Sequence, residues 1–273
     1  MRAHVWANYA SPRRGELCEP EGGNVDKNIE QVANIIKESD NIVFFGGAGL
    51  STESGIPDFR SVDGLYNQKY KFPPEVIISH SFFESNPIEF YRFYKDKCLG
   101  PMLKAKPNTA HLALAKLENM GKLKAVVTQN IDDLHHRAGS KNILELHGTS
   151  FKNHCVKCGK TYTIEDILKS KDDVPTCECG GIIRPDIVLY EEALDQDVIR
   201  KSCKAIEEAD ALIIAGTTLI VQPAASFVNY YTGNKLILIN LSEVPNESRI
   251  NYVVHDKVGK VFTEIFDYLG YEL

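Results

Sequence analysis

Four cysteines stand in two close pairs, Cys155-Val-Lys-Cys158 and Cys177-Glu-Cys179, with 18 residues between the pairs. Two pairs at about this separation can bring four thiolates to one tetrahedral point, the geometry zinc prefers. The second pair has one intervening residue in place of two. Glycines behind both pairs, Gly159 and Gly180, favour the tight turns that aim sulfur at a metal. Four protein ligands leave no open position, so the spacing implies one structural zinc. Cys18, Cys98 and Cys203 lack partner spacing and read as ordinary residues, and His154 is at most a spare ligand.

A second group of candidates is Gly47-Ala48-Gly49-Leu50-Ser51 and its continuation to Asp58-Phe59-Arg60. Small residues just after a strand let backbone N–H groups approach a pyrophosphate, and a helix N-terminus following them would favour the anion. The dinucleotide fingerprint is incomplete, because Thr52 stands where the third glycine belongs. On the glycines alone, a plain strand-to-helix turn serves as well. A turn has no need of an acid, a flat apolar ring and a cation in succession, whereas a dinucleotide site can use all three.

Polar residues at strand ends make up the third group. Gln129, Asn130 and Asp132 follow an apolar run, and alternation about Ile131 would send Asn130 and Asp132 into one cleft. An Asx-type cap on a helix over 132–138 is the competing reading. His147 ends another run, where a neutral imidazole can act as general base, although a histidine there is more often a structural residue. Gly216-Thr217-Thr218 and Asn240-Leu241-Ser242 also stand at expected strand ends, and each is a weak signal alone.

These residues need a scaffold, and the hydrophobic pattern supplies one. Buried strands are expected at 41–45, 125–128, 143–146, 211–215 and 236–240. Helices are expected near 29–36, 108–120, 194–209, 222–231 and 257–269. Continuous apolar strands alternating with helices imply an α/β fold with a parallel sheet covered on both faces. Residues 61–100, with a helix near 87–97, and 148–186 interrupt the alternation and read as inserts forming a smaller lobe. Residues 1–25 read as a loose extension, leaving one domain with its inserts over 26–273. With 43% hydrophobic and 25% charged residues the composition is that of a globular chain. A net charge of -6 gives no reason to expect direct nucleic-acid binding. No apolar run suits a membrane or a signal peptide, so the cytoplasm is the expected compartment, where cysteines favour metal over disulfides.

Together these segments resemble the sirtuin family, in its bacterial branch, from about residue 28 onward. The likeness rests on Gly47–Ser51, Gly55-Ile-Pro-Asp-Phe-Arg60, Gln129-Asn-Ile-Asp132, Leu146-His-Gly148, Gly216-Thr217 and the four cysteines, in the family's order. The resemblance implies a Rossmann-like large domain and a small lobe of zinc ribbon plus helices, with NAD and an acyl-lysine peptide meeting between them. It implies NAD contacts from Gly47, Ala48, Gly49, Ser51, Asp58, Phe59 and Arg60, with Phe59 guarding the nicotinamide. Gln129, Asn130, Ile131 and Asp132 would serve the nicotinamide ribose and carboxamide. Gly216, Thr217, Thr218, Asn240, Leu241 and Ser242 would serve the phosphates and adenosine. His147 would be the base in NAD-consuming lysine deacylation. A mono-ADP-ribosyltransferase is the alternative; a dehydrogenase or a plain zinc-ribbon binding module explains less. The chain departs from the family pattern at Asp133, where a glycine is common, and at Tyr190-Glu191, where Phe-Gly is usual.

Overall fold

The computed structural model describes residues 26–61, 64–68, 70–170 and 172–273. The extension expected at 1–25 lies outside them. Among the described residues there are nine strands: β1 Ile42–Gly46, β2 Leu123–Thr128, β3 Ile143–Glu145, β4 Gly148–Cys155, β5 Thr161–Thr163, β6 Ile183–Ile187, β7 Ala211–Ala215, β8 Leu236–Ile239 and β9 Tyr252–Val254. Six of them form an all-parallel sheet in the order β3-β2-β1-β7-β8-β9. Numbered among themselves, these six run 3-2-1-4-5-6, the doubly wound order.

The central strands are apolar throughout because both sheet faces are covered. Within β1 the side chains alternate between two cores. Phe44 packs with the helices Lys27–Glu38, Thr109–Asn119 and Val258–Leu269, while Val43 and Phe45 pack with the helix Gln196–Glu208 and the 3-10 turn Ala224–Tyr230. Burying a phenylalanine of this kind is worth roughly 1.5–3 kcal/mol. The helix Thr109–Asn119 starts where it does because Asn108 caps it, its side chain accepting from the Ala110 N–H at 3.0 Å.

Three expectations need correction. The segment expected as a helix at 222–231 is a tight 3-10 turn instead. The helix near 87–97 ends at Phe93 and passes through a wider π-helical turn, Tyr94–Leu99, before resuming at Gly100. No α-helix follows the glycine loop after β1; two single 3-10 turns, Ala48–Leu50 and Thr52–Ser54, take its place. No α-helix N-terminus is therefore offered to an anion by this loop.

The strands β4, β5 and β6 make a second, antiparallel sheet in the order β5-β4-β6. One core joins this sheet to the aromatic segment before it: Phe83, Phe90, Tyr91 and Tyr94 pack with Ile167, Ile183, Cys155 and Cys177. Among the described residues no helix is long and apolar enough to cross a membrane.

Candidate active site

The order of the large sheet reverses between β1 and β7, and ligands of such sheets bind beyond the strand ends at that point. Here the loops after the two strands touch. The Gly49 N–H donates to the Gly216 carbonyl at 2.8 Å, and the Gly47 N–H to that of Ala215 at 3.2 Å. Gly216 has φ +60°, and a Cβ on it would stand 2.2 Å from the Leu50 nitrogen. These glycines are thus required by loop-on-loop packing before any ligand is considered.

The end of β2 is tied to the same loop by side chains. Asn130 Nδ2 donates to the Gly47 carbonyl and to Ser51 Oγ, both at 3.1 Å, and Ser51 Oγ donates to Asp132 Oδ2 at 2.6 Å. Asp132 Oδ1 accepts the Leu134 N–H at 3.0 Å. Asp132 thus makes an Asx turn just before the short helix Leu134–Ala138 and closes the network, while the cap position itself falls on Asp133, whose side chain makes no capping bond. Burial pushes the Asp132 carboxyl up, and the Ser51 and Leu134 donors pull against that.

His147 sits between β3 and β4, where Leu146 N–H bonds the Thr128 carbonyl at 2.9 Å. Its Nδ1 lies 2.9 Å from the Gln129 carbonyl, which can only accept. Nδ1 therefore carries the proton, and in the neutral ring Nε2 keeps its lone pair. Every cofactor candidate named above, together with His147, lines a single cavity of about 610 Å³. That size is ordinary for a ligand site.

The four cysteine sulfurs lie within 4.8 Å of one another. Cys155 Sγ is 3.5 Å from Cys179 Sγ, and Cys158 Sγ is 3.6 Å from Cys177 Sγ. A tetrahedral zinc with bonds of about 2.3 Å places its sulfurs at nearly this spacing, so the cluster fits that ion. Backbone N–H groups of Lys157 and Cys179 point at Cys155 Sγ and Cys177 Sγ, which favours thiolate. His154 is not part of the cluster; its Nδ1 pairs with the Asp186 carboxylate.

A model of the Sir2 family matches residues 47–223. An NAD-dependent protein deacetylase of Clostridium perfringens is 56% identical over 247 residues, 89% of this chain and 100% of that protein. The chain belongs to the Sir2 family. An NAD-dependent protein deacetylase of Thermotoga maritima is 46% identical, over 80% of this chain and 88% of its own. Among solved structures, Sir2 with a p53 peptide and NAD+ matches with a TM-score of 0.80 at 41% identity, covering 89% of this chain and 98% of that one. Sir2Tm bound to a propionylated peptide matches with a TM-score of 0.80 at 39% identity, covering 89% and 99%.

Against the sirtuin pattern, both departures fall on left-handed backbone. Asp133 has φ +63° and Glu191 φ +76°. Each stands where the family prefers glycine, and aspartate tolerates that region better than glutamate does. Glu191 is nonetheless anchored, accepting from the Ser81 N–H at 2.9 Å and Ser81 Oγ at 3.0 Å. Beside it, Glu192 accepts a fork from Arg184 at 2.7 and 3.0 Å and lies 2.7 Å from His80 Nδ1. Partial burial works against that carboxylate, but Arg184, the Leu189 N–H and His80 bring it down to about 2.

Two parts of the site escaped the motif reading. Glu53 accepts the Gly259 N–H at 2.7 Å and so ties the cofactor loop to the start of the last helix. Tyr66 and Tyr190 face each other across the cavity they both line. Neither pair leaves a local signal, since each spans more than a hundred residues.

Proposed function

We propose that this sirtuin removes acetyl and other neutral acyl groups from lysine side chains of proteins, consuming NAD and one water and releasing nicotinamide, O-acyl-ADP-ribose and free lysine. The observation that carries the reading is His147, held by Nδ1 against the Gln129 carbonyl and lining the same cavity as the 47–60 loop and the Gln129–Asp132 segment. NAD is here a substrate whose ribose carbon accepts the acyl oxygen, which is why it is consumed. Ala48, Asp58, Phe59 and Arg60 serve its nicotinamide half and exclude water. Asn130 and Asp132, braced through Ser51, orient the ribose and carboxamide. Gly216, Thr217, Thr218, Asn240, Leu241 and Ser242 serve the phosphates and adenosine. His147 Nε2 takes the proton from a ribose hydroxyl. The cytoplasm, acyl-lysine proteins or peptides as substrates, and no direct nucleic-acid or membrane binding complete the reading.

Burial lowers the His147 pKa, with the Gln129 contact partly opposing it. A base works in its neutral form, so a lowered pKa moves inactivation to more acid pH. The acid limb of kcat/KM is expected to have its midpoint below 6.5, the ordinary imidazole value. A midpoint above that value in a pH–rate profile would remove the burial argument.

The acyl preference follows from the helix at 87–93. Sirtuins that take acidic acyl groups resemble this chain there but carry Tyr-x-x-Arg, where this chain reads Tyr91-Arg-Phe-Tyr94. Tyr91 donates its hydroxyl to the Ile183 carbonyl, and Tyr94 is buried, stacked on Phe90 with centroids 5.8 Å apart. Arg92 points outward to Glu89 at 2.9 Å. Lys97 lines the cavity, and its ammonium lies 3.0 Å from the Asp96 carboxylate. The position where those sirtuins carry arginine therefore offers an acyl carboxylate no cation, at a cost of a few kcal/mol, so kcat/KM for succinyl-lysine should fall about 100-fold or more below acetyl-lysine. An acyl-peptide panel read by nicotinamide release tests this. Equal values for both acyl groups would contradict the preference and direct attention to Lys97.

A further inference from the structure

The hydroxyl of Tyr190 has no part in the chemistry above, yet it lies 2.9 Å from the hydroxyl of Tyr66, 124 residues away. Tyr66 organises the loop that carries Phe59 and Arg60. Its N–H donates to the Phe59 carbonyl at 2.8 Å, and the neighbouring Leu65 N–H donates to that of Asp58 at 2.9 Å. Its ring packs on Phe59 with centroids 5.4 Å apart, and the Arg60 guanidinium lies 5.2 Å from the ring centre. On the opposite wall Tyr190 is held by main chain, donating its N–H to Ile78 at 3.1 Å and accepting from His80 at 3.0 Å. Two residues earlier, the Val188 N–H donates to the His147 carbonyl at 2.9 Å. One short segment therefore connects the backbone of His147 to the loop facing it.

We propose that Tyr190 is a positioning residue for NAD: its hydroxyl latches Tyr66, and through Tyr66 holds Phe59 and Arg60 over the cavity. The proposal rests on the reading that this loop holds the nicotinamide half. Partial burial, and then the Tyr190 contact, push the Tyr66 hydroxyl up, so the latch stays a neutral hydrogen bond at working pH. A phenylalanine at 190 would fill the same space and lose only this bond.

The test uses Tyr190→Phe, Tyr66→Phe and the double variant in the full-length, zinc-loaded chain. NAD affinity is measured by calorimetry, and KM for NAD and for one acetyl-peptide by steady-state kinetics. Each single change should raise the Kd and KM for NAD by about 2- to 10-fold, the range of one neutral hydrogen bond, with peptide KM unchanged. The double variant should be no weaker than either single one, because both remove the same bond. Unchanged NAD affinity in both single variants, additive effects in the double, or a parallel rise in peptide KM would each overturn the latch. Calorimetry keeps the two readings apart. A chain whose NAD affinity depends on the pair but which deacylates nothing retains the latch and loses the reaction; a chain that binds no NAD loses both.

Discussion

His147→Ala should lower the turnover of acetyl-peptide by about 10²–10⁴-fold, the usual worth of a positioned general base, while NAD still binds. The two effects separate because the imidazole meets its own main chain through Nδ1 and offers Nε2 to a proton. Removing it leaves the loop network of Asn130, Ser51 and Asp132 intact. Calorimetric NAD binding and single-turnover assays on the purified variant check both halves. Near-unchanged turnover would take His147 out of the mechanism.

Cys158→Ala should lose bound zinc and lower the melting temperature of the chain by a wide margin. Structural zinc sites of this type contribute on the order of 10 kcal/mol to folding, so losing one of four ligands removes a substantial part of that. The lobe depends on the ion because Cys155 and Cys177 belong to its core, packed with Phe90, Tyr91 and Ile183. Activity should fall as well, although four protein ligands leave such a metal no open position for substrate. The reason is positional: β4 begins at Gly148, directly after His147, and its partner β6 pairs Ile187 with Gly148. A melted ribbon would release the base from one side. Metal analysis and thermal melting of the variant measure this, and full zinc content with an unchanged melting temperature would contradict it.

How much of this was legible in the sequence depended on whether the signal was local. β1 and β7 were readable because a strand buried on both faces must be apolar at every position. The cysteine pairs were readable because sulfur geometry demands close pairs with turns behind them, and Gly159 and Gly180 do adopt left-handed backbone. β9 was not readable: three residues at a sheet edge, two half-buried and only Val254 buried, carry no period. The three-stranded sheet of the small lobe was equally silent, since Thr161–Thr163 is short and largely polar. The glycine loop was found for an incomplete reason. Its glycines permit contact with the loop after β7, and the helix that a dinucleotide fingerprint leads one to expect is absent. The Tyr66–Tyr190 and Glu53–Gly259 contacts exist only once the chain has folded.

The most direct measurement of the central claim is the stoichiometry of NAD consumption with one acetyl-lysine peptide, using NAD labelled in its ADP-ribose part. No nicotinamide should form without the acetyl group. With it, nicotinamide, free-lysine peptide and labelled O-acetyl-ADP-ribose should form in equal amounts, and all three should vanish in His147→Ala. Nicotinamide release indifferent to the acetyl group, with the label left covalently on protein, would contradict it and make the chain an ADP-ribosyltransferase.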